Sequence, residues 1–189
     1  METGFGLGRF QPGKLGSTRS SLSDYPTFTF GLINCRSVCN KTHQLNDLMS
    51  DYDVCAITET WLKADIRDNV IIQEILPPGY NILHAARESR GGGVALVYKT
   101  GLTVKQITRD RYDTFESLEC TLNWENMHIR LVVVYKRLAA NSNASGFEKF
   151  TSEWSDYLDN LVLTSGDLVI AGDFNIHVDM TENREAQIF

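Results

Sequence analysis

The sequence has no apolar run that approaches the ~20 residues of a membrane-spanning helix. Its first residues also lack the basic segment and apolar core that together form a secretory signal peptide. These two absences predict a protein that works inside the cell and does not insert into a membrane. Basic residues are few as well, since 18 Lys and Arg stand against 24 Asp and Glu. The net charge of −6 is mildly against a broad basic surface for nucleic acid, but it does not exclude contact through a few Lys and Arg side chains.

Cysteine is scarce, and only Cys35, Cys39, Cys55 and Cys120 occur in the 189 residues. In a reducing compartment such residues are usually free, partly buried thiols. Cys35 and Cys39 have no second Cys or His pair at zinc-finger spacing. The cysteines therefore predict neither a disulfide framework nor a zinc site.

Residues 1–26 are rich in Gly, Ser and Thr and have few large apolar side chains after Phe10. Such a segment cannot bury enough surface to offset the entropy lost on ordering, so it is predicted to be a flexible tail. The remaining residues 27–189 are predicted to form a single domain, and 42% hydrophobic residues in the chain are enough for a sizeable core.

The first part of this domain follows a strand–helix–strand pattern. Alternating apolar residues over 28–32 predict a strand that ends at Asn34, and residues 41–50 have the spacing of a short amphipathic helix. The apolar run at 54–57 predicts a second strand, which ends at Glu59. A parallel crossover in an α/β sheet is the expected result.

Further strands and one long helix follow. Aromatic and Leu side chains recur every three or four residues over 147–161, which predicts an amphipathic helix packed on a sheet. Because several antiparallel strands lie between parallel elements, we expect mixed sheets. The additional predicted strands are 80–85, 94–98, 102–107 and a hairpin of 115–124 with 128–135.

The stretch 168–175 is the most informative in the chain. An apolar run ends at Gly172, and then Asp173 and Asn175 follow two residues apart. A strand that finishes in polar residues is a candidate wall of a ligand site in an α/β sheet. The alternative is an Asx turn, in which these two side chains bond only their own backbone.

Four motifs, in order and at sensible spacing, resemble the signature of the endonuclease/exonuclease/phosphatase superfamily. They are Asn34-Cys35-Arg36-Ser37, Ile57-Thr58-Glu59-Thr60-Trp61-Leu62, Arg90-Gly91-Gly92-Gly93-Val94-Ala95 and Gly172-Asp173-Phe174-Asn175. The set resembles one branch above all, the endonuclease domain of LINE-type (non-LTR) retrotransposons. The resemblance covers about residues 28–189.

This resemblance implies an α/β fold that is part of a four-layer α/β sandwich with mixed β-sheets. It also implies that the last third of the domain is missing, together with a further Asp and a His in a Ser-Asp-His string. The implied activity is metal-dependent hydrolysis of a phosphodiester, in which an activated water nicks DNA. Two alternatives remain: a transposon-derived remnant without enzymatic activity, and a phosphatase or sphingomyelinase of the same superfamily.

The resemblance also implies a cofactor and its ligands. Mg²⁺, with Mn²⁺ as the alternative ion, would be held by Glu59 and helped by Asn34, because such ions take oxygen ligands and keep several waters. Without the resemblance, Glu59 would be a solvated loop residue and Asn34 a cap at a strand end.

The implied catalytic residues are Asp173, which activates the attacking water, Asn175, which orients water and phosphate, and Tyr135, which donates to the phosphate. The branch usually continues Tyr-Arg-Pro, whereas Lys136 and Arg137 follow here. These two side chains are predicted either to contact DNA phosphates or to form a solvated turn. The expected partner is DNA, in the nucleus if the DNA is chromosomal, and the sequence indicates no obligate protein partner.

Overall fold

The structure is a computed structural model that describes residues 6–8, 28–63, 65–85, 91–137, 144–164, 166–176, 182 and 184–188. In this part of the chain the strands are β1 (Gly6–Gly8), β2 (Phe30–Asn34), β3 (Val54–Thr58), β4 (Tyr80–Ala85), β5 (Val94–Lys99), β6 (Thr103–Ile107), β7 (Phe115–Trp124), β8 (Met127–Lys136) and β9 (Asp167–Asp173). The helices are α1 (Thr42–Met49), α2 (Ile66–Ile75), α3 (Ala144–Val162) and α4 (Arg184–Ile188).

The strands form two mixed sheets. Sheet A has the order β1-β2-β3-β5-β4, and sheet B has the order β6-β7-β8-β9. Each sheet contains one parallel pair, β2 with β3 and β8 with β9, and the other pairs are antiparallel. The predicted parallel crossover from β2 through α1 to β3 is confirmed, and so is the prediction of mixed sheets.

Three apolar cores separate four layers. The first core lies between the sheets and takes Ala56 from β3, Leu96 from β5 and Val133 from β8. The second lies between sheet A and helices α1 and α2, and the third lies between sheet B and α3. The order helices, sheet A, sheet B, helix confirms the predicted α/β sandwich class.

Strict alternation along the strands produces these layers, because successive side chains of a strand point to opposite faces. In β5, Val94, Leu96 and Tyr98 face the other sheet, while Ala95 and Val97 face the helices. Helix α3 packs on sheet B through its aromatic face, which confirms the prediction for this helix. The α3 residues in that core are Phe147, Phe150, Trp154, Tyr157, Leu158 and Leu161.

Three elements were not predicted: helix α2, strand β1 and helix α4. Helix α2 begins at a capping box, in which the Asp65 side chain accepts from backbone N–H groups of the first turn and Asp68 bonds back to the N-cap residue. Strand β1 lies within the predicted tail and pairs antiparallel with β2. The rest of residues 1–27 lies outside the described residues, so the division into a tail and a domain stays a prediction.

The four cysteines are free, as predicted: Cys35, Cys55 and Cys120 are buried and Cys39 is exposed. Burial raises the pKa of each buried thiol to about 12, so these thiols stay protonated at neutral pH. Among the described helices, none is both long enough and apolar enough to span a bilayer.

Candidate active site

The parallel pair of each sheet delivers polar residues to the same end of the sandwich. Asn34 is the last residue of β2 and lies in register with Thr58, the last residue of β3, so Glu59 follows directly. In the other sheet Tyr135 of β8 lies in register with Asp173, the last residue of β9. The carboxyl ends of four strands therefore meet at one edge.

A single amide group joins the two sheets at this edge. The Asn34 side-chain nitrogen Nδ2 donates to Glu59 Oε1 at 2.9 Å and to Asp173 Oδ2 at 2.6 Å. Two carboxylates that are 114 residues apart in sequence thus converge on one neutral donor. The structure therefore brings together Asn34 and Glu59, the predicted metal-binding residues, and Asp173, the residue predicted to activate the water.

The loops around this amide have unusual backbone conformations. Among the described residues, six non-glycine residues have positive φ, and five of these follow the carboxyl ends of β2, β3 or β9. Such conformations are costly for L-residues and concentrate at functional sites, where surrounding contacts hold them. The five are Arg36, Ser37, Glu59, Trp61 and Asn175.

Glu59 has φ of 55°, and the peptide group that follows it is held at both its carbonyl and its N–H. Its carbonyl oxygen accepts from the Ser37 N–H at 2.8 Å and from the Cys35 thiol at 3.2 Å. The next residue, Thr60, donates its N–H to the Gly93 carbonyl at 3.2 Å. These bonds leave the Glu59 side chain to face Asn34.

The Asp173 carboxylate both forms a local turn and reaches the cluster. Its Oδ1 accepts from the Asn175 N–H at 3.0 Å, which is the Asx turn that the sequence left open as the alternative. Its Oδ2 faces Asn34 in the other sheet. The local turn therefore fixes the carboxylate in the orientation that reaches the cluster.

Asn175 and Lys136 link the strand ends of sheet B. The Asn175 amide nitrogen Nδ2 donates to the Lys136 carbonyl at 2.6 Å, and Asn175 has φ of 50°, a region that Asn tolerates better than most residues. This bond ties the turn after β9 to the end of β8.

Tyr135 lies in the inter-sheet core beside the cluster. Burial, followed by the nearby carboxylates of Glu59, Asp173 and Glu116, raises the pKa of the Tyr135 phenol to about 12, against a weaker opposing hydrogen bond with Asn175. The phenol is therefore protonated at neutral pH, and it can donate a hydrogen bond but cannot act as a base.

Lys136 and Arg137 are engaged by the protein itself. Lys136 Nζ lies 5.3 Å from the Phe150 ring centroid and 3.6 Å from Glu185 Oε2, so the ammonium is directed towards α3 and α4. Arg137 Nε lies 3.2 Å from Glu116 Oε1. The Lys136 side chain is 11% exposed and the Arg137 side chain 35% exposed. DNA contact by these two residues stays a prediction.

Sequence reasoning missed Glu116, which pairs in register with Tyr135 on β7. Its only sequence signal is an acidic residue near the start of an apolar strand, and such a residue usually faces solvent.

The donor set at this edge suits a hard cation. Within the described ranges, no three His, Cys, Asp or Glu side chains gather into a metal cluster. Mg²⁺ needs only one or two carboxylates, and the oxygens of Glu59 and Asp173 already converge on one point at Asn34.

A statistical model of the Endonuclease/Exonuclease/phosphatase family matches residues 31–189, which includes every residue of this site. The chain belongs to the Endonuclease/Exonuclease/phosphatase family. The superfamily resemblance of the four motifs is thus confirmed. A search of curated proteins finds no match.

Several solved structures share the fold. The AP endonuclease LMAP from Leishmania major is 17% identical, with a TM-score of 0.61 over 96% of this chain and 66% of its own. The 3′ phosphatase NExo from Neisseria, bound to product DNA hairpin, is 18% identical, with a TM-score of 0.54 over 78% of this chain and 57% of its own. TDP2 from D. rerio, complexed with single-strand DNA product, is 12% identical, with a TM-score of 0.54 over 80% of this chain and 58% of its own. The chain thus spans less than two thirds of the length of each of these structures.

Proposed function

We propose that this chain is a metal-dependent phosphodiester hydrolase of the retrotransposon endonuclease type, which nicks DNA by attack of an activated water. The observation that carries the proposal is the Asn34 amide, which draws Glu59 and Asp173 of different sheets to one point. Family membership supports hydrolysis at that point, and the four motifs support the retrotransposon branch.

Glu59 and Asn34 would hold the divalent cation, Mg²⁺ or alternatively Mn²⁺. When bound, this ion neutralises charge on the phosphoryl oxygens and the leaving group. The Glu59 carboxylate fits this role, since hard cations select oxygen ligands. The Asn34 nitrogen Nδ2 faces the two carboxylates and its oxygen Oδ1 accepts from the Arg36 N–H at 3.2 Å, so Asn34 would hold the Glu59 carboxylate in place and would ligate the ion only through Oδ1.

Each protein group then has a role that its geometry allows. Asp173, fixed by its turn, accepts a proton from the attacking water, and Asn175 orients that water and the phosphate. Tyr135, whose raised pKa keeps it protonated, donates to a phosphate oxygen. Arg137 would contact a neighbouring DNA phosphate only after partial release from Glu116.

DNA is the proposed substrate on two grounds. The motifs resemble a DNA-nicking branch, and two of the structural relatives are described with bound DNA product. The phosphatase or sphingomyelinase branch and the inactive remnant are the competing outcomes of the test.

The test offers three phosphodiester or phosphomonoester substrates to one preparation of the folded chain in Mg²⁺: supercoiled plasmid, inositol phospholipid vesicles and sphingomyelin vesicles. We expect conversion of plasmid to the open circle, with no phosphate or phosphocholine released from either lipid. A preparation of Asp173→Asn made in parallel serves as the blank for contaminating nuclease. Hydrolysis of a lipid alone would assign the chain to another branch, and no hydrolysis by a folded chain would favour the remnant.

A further inference from the structure

Glu116 lies where the two sheets approach each other beside the site. It is in register with Tyr135 across the β7–β8 pair, and its side chain is only 11% exposed. Both carboxylate oxygens are engaged. Oε2 accepts from the Gly93 N–H at 2.6 Å and Oε1 accepts from Arg137 Nε at 3.2 Å.

The bond to Gly93 crosses from sheet B to the glycine loop that precedes β5 in sheet A. A hydrogen bond from a backbone N–H to a carboxylate is charge-assisted and therefore stronger than one between neutral groups. One carboxylate thus joins the glycine loop of sheet A to the end of β8, which bears Tyr135.

The glycine loop is in turn bonded to the segment after Glu59. The Gly93 carbonyl accepts from the Thr60 N–H at 3.2 Å, and the Gly92 carbonyl accepts from the Trp61 N–H at 2.8 Å. The approach is close, because a Cβ on Gly93 would lie 2.4 Å from Thr60 Oγ1, and Gly93 has φ of 90°. A displacement of Gly93 is therefore transmitted to Thr60.

We propose that Glu116 is a positioning residue, which sets the Glu59 carboxylate relative to Tyr135 and Asp173 through Gly93 and Thr60. The path has two hydrogen bonds, from Glu116 to Gly93 and from Gly93 to Thr60, and then one peptide link to Glu59. Glu116 contacts neither water nor phosphate in this role. The catalytic part of the inference rests on the proposed function, and the structural part does not.

The experiment compares Glu116→Ala and Glu116→Gln with the matched control Glu74→Gln, whose side chain is exposed on α2. The first readout is the ¹H–¹⁵N amide spectrum. In Glu116→Ala the signals of Gly93 and of residues 59–61 should shift and exchange faster with solvent. In Glu116→Gln, whose side-chain oxygen can still accept from Gly93, the shifts should be smaller, and the control should leave these signals unchanged.

The second readout is steady-state DNA nicking. In Glu116→Ala we expect kcat to fall about 10- to 100-fold with KM changed less than about twofold, the size of effect typical of groups that orient metal ligands. Glu116→Gln should restore part of kcat, since a neutral acceptor replaces the charged one. A loss of stability alone would not lower kcat while leaving KM nearly unchanged, and it would not make Glu116→Gln more active than Glu116→Ala.

The outcomes separate the inference from the proposed function. If residues 59–61 are unmoved in Glu116→Ala and kcat matches the control, the positioning role is overturned even though the enzyme is active. If wild type does not nick DNA but the signals of residues 59–61 move, the link from Glu116 stands and the proposed function fails. If wild type is inactive and those signals do not move, both fail.

Discussion

Replacing Asp173 by Asn is expected to lower the rate of DNA nicking by a factor of about 10² to 10⁴, the range for loss of a positioned general base. The substitution removes the proton acceptor and leaves the shape of the side chain. Its remaining oxygen can still accept from the Asn175 N–H, now 3.0 Å from Oδ1, so the turn after β9 should persist. The measurement is the initial rate of open-circle formation at saturating Mg²⁺.

The matched control is Asp167→Asn, an exposed acid at the start of the same strand. It should nick at the wild-type rate. Equal losses in both variants would show an effect of general charge, and no loss in Asp173→Asn would remove Asp173 from the catalytic step. The circular dichroism spectra of both variants should match that of wild type.

Gly172→Ala is expected to reduce the free energy of unfolding by about 3 kcal/mol or more, the upper part of the range for overpacking. A Cβ at this position would lie 2.0 Å from the carbonyl oxygen of Val134 in β8 and 2.7 Å from its carbonyl carbon. These are backbone atoms of the paired strand, so a rotamer change cannot relieve the clash. The β8–β9 pair must open, which also moves Asp173 away from Asn34.

A urea titration measures this effect, and Gly101→Ala is the control. A Cβ on Gly101 meets nothing within 4 Å, so its free energy of unfolding should change by no more than about 0.5 kcal/mol. A loss below about 1 kcal/mol in Gly172→Ala would contradict the close approach of β8 and β9.

Much of the fold could be predicted because local pattern and tertiary packing agree. Residues 28–34 and 54–58 are apolar and finish in polar groups, as strands of a parallel pair do, and the aromatic spacing of 147–161 admits only a helix. The four-layer arrangement came from the motif resemblance, not from periodicity. It was confirmed by the separate cores on the two faces of each sheet.

Helix α2 could not be predicted by periodicity because its apolar residues do not form one stripe. Ile75 is fully buried, whereas Ile66 and Val70 are 81% and 59% exposed. Several of its residues are β-branched, which weakens a helical pattern. The signal that was available was Asp65 and Asp68, the two acids of the capping box.

The candidate site, like the fold, could be predicted only in part. The motif resemblance placed Asn34, Glu59 and Asp173 in one site, and each lies at or directly after the carboxyl end of a parallel strand. Their catalytic roles stay predictions. Glu116 could not be found, because its position beside Tyr135 depends on the exact register of the β7–β8 hairpin. The hydrophobic pattern and the turn at Glu125 set that register together.

We propose that Asn34, Glu59 and Asp173 form one centre that uses a divalent cation to cut a phosphodiester. The most direct measurement is the rate of plasmid nicking as Mg²⁺ is titrated into chelator-treated protein, with wild type and Glu59→Gln side by side. We expect the wild-type rate to rise from background, to saturate and to return to background in EDTA. Glu59→Gln should need about 10- to 100-fold more Mg²⁺ to approach the same rate. Three results would contradict this proposal. They are a nicking rate that does not depend on Mg²⁺, the same Mg²⁺ dependence in both proteins, and no nicking by a folded wild-type chain.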